Sequence, residues 1–212
     1  MKLLTRSRGF RNRVAFRLSA SNSGIYRWYL RNNYWPEFAS AEHFASEFSK
    51  TRRGITFLQL GSGTSVLHDP INRIAKRDAW KGLVIEPSGE VFRYYTAPLY
   101  GNQSGVTAIC LSTANGKWHE LISEQIKSHR ISNPAWLQIN SPDAGTYALS
   151  LTGADEITPE VFAIESGNIR QEAKTGIRTS LKRRGYEIKQ LGGYLVAALN
   201  PDEYLSRFLH ED

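Results

Sequence analysis

The sequence predicts an α/β fold of the Rossmann-like kind, a mostly parallel sheet closed by a C-terminal antiparallel hairpin and preceded by a basic N-terminal arm. Three observations carry this expectation. Short apolar runs alternate with amphipathic stretches of helical spacing from about residue 54 onward, the first run ends in a Gly-x-Gly loop, and the last two runs are separated by Gly192-Gly193. Strands alternating with helices are joined by right-handed crossovers, which makes the strands parallel and covers the sheet on both faces. A terminal hairpin reverses one strand and makes the sheet mixed.

The elements follow in order. Residues 41–50 place Phe44 and Phe48 four apart, one face of a helix leading into the domain. Arg52, Arg53 and Gly54 break that pattern, and Ile55–Leu60 is a buried first strand ending at Gly61. Asp69-Pro70, followed by Ile71, Ile74 and Ala75, marks a helix start with Asp69 as N-cap and Pro70 at the first helical position. Gly82–Ile85 is a second strand closed by Glu86-Pro87, and Glu90–Tyr95 begins a helix. Val106–Leu111 is a third strand, in which Cys110 is expected in the core. Trp118–Lys127 is amphipathic, Trp136–Ile139 is a fourth strand, and Tyr147–Leu151 lies on the next helix. Val161–Ile164 is a fifth strand, Gln171–Arg184 a basic helix stopped by Gly185, and Tyr186–Leu191 with Tyr194–Leu199 the hairpin.

Composition bounds the function classes. A chain of 212 residues with 41% hydrophobic residues suits one globular domain, expected over 54–212 behind an arm at 1–53. No apolar run approaches the roughly 18 residues of a membrane span. One cysteine and five scattered histidines exclude a disulfide framework and give no metal-ligand spacing. They suit a reducing compartment: the cytoplasm or, because the Arg-rich, acid-poor start overlaps transit-peptide composition, a mitochondrial or other organellar matrix.

The net charge of +7 is concentrated, since residues 1–53 hold 11 of the 27 Lys/Arg and 3 of the 20 Asp/Glu. Such an arm favours an anionic partner: RNA, anionic lipid or an acidic protein surface. Within residues 1–35, Tyr26, Trp28, Tyr29, Tyr34 and Trp35 interleave with Arg27 and Arg31, which suits stacking on bases or docking on the arm's own domain. Lys182, Arg183 and Arg184 form a solvated basic face, or extend the arm's anion-binding surface.

The chemistry is expected at the carboxyl ends of the strands. Gly61-Ser62-Gly63-Thr64-Ser65 joins a strand to a helix, where glycines let the backbone approach a nucleotide-like ligand. A dinucleotide fingerprint needs a third small residue where Val66 stands, which disfavours NAD and FAD. Glu86, ending the second strand, is placed to accept the ribose hydroxyls of an adenosine.

These blocks resemble the FkbM-type methyltransferases from about Thr56 to Leu199. The resemblance rests on Thr56 to Pro87 with its Gly-rich loop, Asp-Pro and Glu-Pro, on Cys110 to Gly116 (CLSTANG), on Ala135 to Leu149 (AWLQINSPDAGTYAL), and on Glu160 to Asn168 (EVFAIESGN) followed by the hairpin. It implies a class I methyltransferase fold, S-adenosylmethionine as cofactor, and O-methyl transfer to a hydroxyl of a sugar, glycan or small metabolite. The cofactor would be held by Gly61, Ser62, Gly63, Thr64, Glu86, Ser112 and Asn140. Glu165 and His68 are the candidates for a general base.

The sequence departs from the family at its acids. Thr64, Thr113, Asn140 and Pro142 stand where the family carries carboxylates, and Asp143 restores one only if its loop shifts by a residue. The alternative expectation is therefore a catalytically inactive methyltransferase-like subunit whose basic arm contacts RNA or another anionic partner.

Overall fold

The computed structural model describes residues 36–62, 69, 71–101, 103–111, 118–131, 133–141, 143–153 and 157–210. The basic arm 1–35 and the loop 63–68 lie outside the described residues. In chain order the elements are α1 (Pro36–Thr51), β1 (Thr56–Leu60), α2 (Asn72–Arg77) and β2 (Lys81–Glu86). The helical segment α3 follows, made of an α turn Gly89–Val91, a π turn Phe92–Thr96 and an α turn Ala97–Tyr100. Next come β3 (Val106–Cys110), α4 (Trp118–Ser128), β4 (Trp136–Ile139), α5 (Ala144–Thr152) and β5 (Val161–Glu165). The chain closes with α6 (Gln171–Arg183), β6 (Tyr186–Leu191), β7 (Tyr194–Leu199) and α7 (Glu203–His210).

The seven strands lie in the order β3-β2-β1-β4-β5-β7-β6. The pairs from β3 to β5 are parallel, and β7 inserts antiparallel between β5 and β6. This is the expected mixed sheet, a Rossmann-like class I methyltransferase fold. After β3 the winding jumps back, so β1 and β4 become neighbours, with Leu58 opposite both Leu83 and Leu137. Crossovers leave β1 and β4 toward opposite faces of such a sheet, opening a crevice at their carboxyl ends.

Side chains alternate along each strand, so the sheet buries two separate layers. Phe57, Val84, Trp136, Ala163 and Val196 pack with Phe44 and Phe48 of α1, Trp80, Ile74 and Leu205. Leu58, Leu83, Leu137, Phe162 and Leu195 pack on the other face with Ile122, Ala148, Ile177 and Leu181. Each buried Val, Leu, Ile or Phe among them contributes roughly 1.5–3 kcal/mol of transfer free energy.

Three features differ from the sequence expectation. Cys110 is exposed, not in the core, because β3 is an edge strand and only β2 flanks it. Helix α2 begins at Asn72, not at Pro70, with Ile71 in the N-cap position. Asp69 still caps it from two residues earlier, its Oδ1 accepting from the amides of Ile71 and Asn72 at 3.2 Å. The unexpected α7 buries Leu205 and Leu209, a four-residue spacing, while Phe208 packs edge-on against Phe44.

Arg52 ties this end of the molecule together. Its guanidinium bonds Glu160, just before β5, and Asp202, just before α7, each at 2.9 Å.

Candidate functional site

The crevice between β1 and β4 is built on Gly61. Its amide donates to the Ile85 carbonyl, and the Asn140 amide donates to the Leu60 carbonyl, both at 2.8 Å. Three strand ends are thereby locked together. Gly61 has φ +75, and a Cβ there would lie 2.3 Å from the Asn140 carbonyl oxygen. Only glycine meets both conditions.

One residue further on, the chain meets Glu86. The amide and hydroxyl of Ser62 reach Glu86 Oε2 at 2.9 and 3.1 Å, and the Ser88 amide donates to Oε1 at 2.9 Å. Glu86 is 4% exposed. A carboxylate offers about four lone-pair positions, so three protein donors leave room for about one more. The Ser62 hydroxyl also lies 2.6 Å from Thr96 Oγ1. Turning it wholly toward Thr96 frees a second position on Glu86.

A second polar layer lies beneath, where the hydrophobic pattern of two central strands is broken. Gln59 and Gln138 face each other across β1 and β4, both fully buried. Gln59 Nε2 donates to the Gly61 carbonyl at 3.0 Å and to Asp69 Oδ2 at 2.8 Å. One amide thus ties Gly61 to Asp69. The Tyr100 hydroxyl donates to Asp69 Oδ2 at 2.5 Å and lies 2.9 Å from Gln59 Oε1, while Gln138 Nε2 reaches Asp69 Oδ1 at 3.2 Å. Burial, then the Asp69 charge, pushes the Tyr100 phenol well above its ordinary value. Buried polar groups are tolerated when such bonds satisfy them. Gln138 Oε1 has no hydrogen-bond partner among the described residues.

Glu165 ends β5, opposite Tyr194 of β7. It is two strand spacings from β1, about 10 Å. Burial pushes its carboxyl above the ordinary carboxylate range. Tyr194 is fully buried, and its phenol is pushed well up by burial and by the charges of Glu165 and Asp69. Glu165 therefore shares the electrostatic surroundings of the Asp69 layer.

Asn140 and Ser141 are buried at the end of β4. Asp143 is exposed at the N-cap of α5 and forms no side-chain capping bond. Burial, then the charge of Asp143 and more weakly that of Glu86, pushes the Tyr147 phenol to about 12.

Of the residues expected from the sequence, the fold brings Gly61, Ser62, Glu86 and Asn140 into one crevice and sets Glu165 at its side. Gly63, Thr64, His68 and Ser112 lie outside the described residues. Gln59, Thr96, Tyr100, Gln138 and Tyr147 were not expected here. The legible signal for the glutamines was a polar residue in the middle of two otherwise apolar strands.

No protein-family model and no curated protein sequence matches the chain. Solved structures do. The METTL16 MTase domain (crystal form 2) superposes on 76% of this chain and 66% of its own, with 12% identity and a TM-score of 0.52. The human methyltransferase 10 domain containing protein superposes on 79% of this chain and 83% of its own, with 13% identity and a TM-score of 0.50. At such identities the likeness establishes the fold.

Proposed function

We propose that the protein is an S-adenosylmethionine-dependent O-methyltransferase of the FkbM type, acting on a hydroxyl of a sugar, glycan or small metabolite. The observation that carries this proposal is the Glu86 carboxylate, buried at the end of β2 and held 2.9 Å from the amide that follows Gly61. An acid there, beside a glycine turn at the switch point, fits the ribose of an adenosine. Its remaining acceptor capacity takes one hydroxyl, and rotation of Ser62 makes room for the other. Gly61, Ser62 and Asn140 would line the cofactor, with Gly63, Thr64 and Ser112 added by the family resemblance.

The cofactor supplies an activated methyl group on a sulfonium, and transfer requires an acceptor oxygen held in line with it. Glu165 is the described residue suited to take the proton from that oxygen, because burial raises its affinity for a proton. His68 is the second candidate base from the sequence.

A silent methyltransferase-like fold is the competing reading. It is favoured by the three protein donors already on Glu86 and by the missing family acids at Thr64, Thr113, Asn140 and Pro142. Calorimetric titration with S-adenosylmethionine separates the two. Saturable heat that Glu86→Ala weakens by at least about 10- to 150-fold, the loss of one of the two charged hydrogen bonds, supports the enzyme. No heat at millimolar cofactor overturns it.

A further inference from the structure

We infer that the flank of α6 carrying Arg170, Lys174, Arg178 and Lys182 binds the phosphate backbone of a single-stranded nucleic acid. The inference stands apart from methyl transfer and rests on where the charge is placed. Residues 170–184 hold six of the sixteen Lys/Arg of residues 54–212 and one of the seventeen Asp/Glu. The rest of that domain is net acidic, so the positive field belongs to this one element.

Four of these cations have no internal role that explains them. Arg184 does: it donates to the carbonyls of Thr152 and Ile157 at 3.1 and 2.6 Å, tying α6 to the turn after α5. Arg170, Lys174, Arg178 and Lys182 form no ion pair or hydrogen bond through their side chains among the described residues. Their placement opposes the helix itself. Arg170 occupies the N-cap with no capping bond from its side chain, where a hydroxyl or acid is favoured and a cation meets the positive end of the dipole. The next three repel one another at successive i,i+4 positions. Local rules broken without an internal return mark a surface kept for a partner.

The geometry suits a linear polyanion. The four cations stand four residues apart, about 6 Å at 1.5 Å per residue, and span about 18 Å. That is roughly the axial length of five nucleotides at 3.4 Å each. Arg170 and Lys182 are exposed, and Lys174 and Arg178 are half-buried; their stems lie along the helix with the charged ends outward. Leu149, the large apolar side chain exposed among the described residues, approaches α6 from the Gly176 side. Gly176 lies about 200° around the helix from Arg178. The basic flank therefore lacks the apolar wedge a membrane-surface helix inserts. It begins five residues after Glu165, so a strand lying on it reaches the carboxyl edge of the sheet.

The test uses the full chain and a labelled 20-nucleotide single-stranded RNA, with DNA of the same sequence as a second arm, read by fluorescence anisotropy from 50 to 200 mM salt. Four phosphate contacts alone give a slope of log affinity on log salt near −3, about a 50-fold loss over that range. Lys174→Gln, Arg178→Gln and Lys182→Gln together should flatten the measured slope by about 2. Arg183→Gln, on the same helix but off the stripe, should leave it in place. Lys174→Arg with Lys182→Arg keeps the charge and should keep binding, which separates charge loss from misfolding. Wild-type protein that binds neither nucleic acid at 50 mM salt, or a triple variant with unchanged affinity and slope, overturns the inference. So does loss of binding to phosphatidylserine vesicles in the triple variant with no change toward RNA or DNA. Titration of the same variants with S-adenosylmethionine reads the methyltransferase proposal separately.

Discussion

Two glycines with nearly the same backbone angle make the crevice measurable. Gly54 and Gly61 have φ +65 and +75, but a Cβ on Gly54 meets nothing within 4 Å, whereas on Gly61 it lies 2.3 Å from the Asn140 oxygen and 3.0 Å from Ser141 Cβ. Gly54→Ala should therefore cost the left-handed conformation alone, about 1–2 kcal/mol. Gly61→Ala adds the displacement of the β4 end, about 1–3 kcal/mol by analogy with overpacked cores, for a total of about 2–5 kcal/mol. The lower unfolded-state entropy of alanine offsets both by the same amount and cancels in the comparison. Urea unfolding followed by the fluorescence of buried Trp80 and Trp136 gives both values at 25 °C. Equal losses in the two variants would show that Asn140 does not lie against Gly61, and that the crevice is built differently.

Further outcomes follow from the polar groups. Burial raises the pKa of Glu165 above 4.5, so its contribution to stability is fully present below the unfolded pKa and is lost as pH rises through the folded one. Glu165→Gln should accordingly melt higher than wild type at pH 7 and equal it near pH 4; equal melting at pH 7 would remove the burial penalty. Tyr147, pushed from 10.0 to about 12, contributes stability that is lost as pH climbs from 10 toward 12, and Tyr147→Phe should lessen that alkaline loss. Tyr100→Phe strips Asp69 of its 2.5 Å donor and should cost about 1–3 kcal/mol in urea unfolding; no loss would mean Gln59 and Gln138 suffice. Ser62→Ala removes one donor from Glu86 and should tighten calorimetric S-adenosylmethionine binding, whereas weaker binding would assign the hydroxyl to the cofactor.

The hairpin and the β4 strand were legible to the residue, because Tyr194–Leu199 and Trp136–Ile139 are mainly apolar, Tyr186–Leu191 mixes apolar Tyr186, Ile188 and Leu191 with polar residues, and all three are bounded by turn or loop residues. Cys110 was misplaced for a reason periodicity cannot address. A run such as Val106–Cys110 looks the same at the sheet edge as at its centre, and strand order alone decides how many neighbours cover it. The switch point has the same origin: nothing local in Leu58 or Leu137 says that they are partners.

The sequence by itself determined the alternation of strands and helices, the mixed sheet, and the residue types at the strand ends, Gly61 and Glu86 among them. These depend on local backbone preference and on the two- and 3.6-residue periods of side-chain burial. Tertiary structure alone decided that Ser62 occupies Glu86, that Gln59 and Gln138 meet over Asp69, and that Arg184 is anchored on the carbonyls of Thr152 and Ile157. Each of those pairings joins residues that the chain separates and the fold brings within hydrogen-bond reach, and a single sequence carries no distance between them.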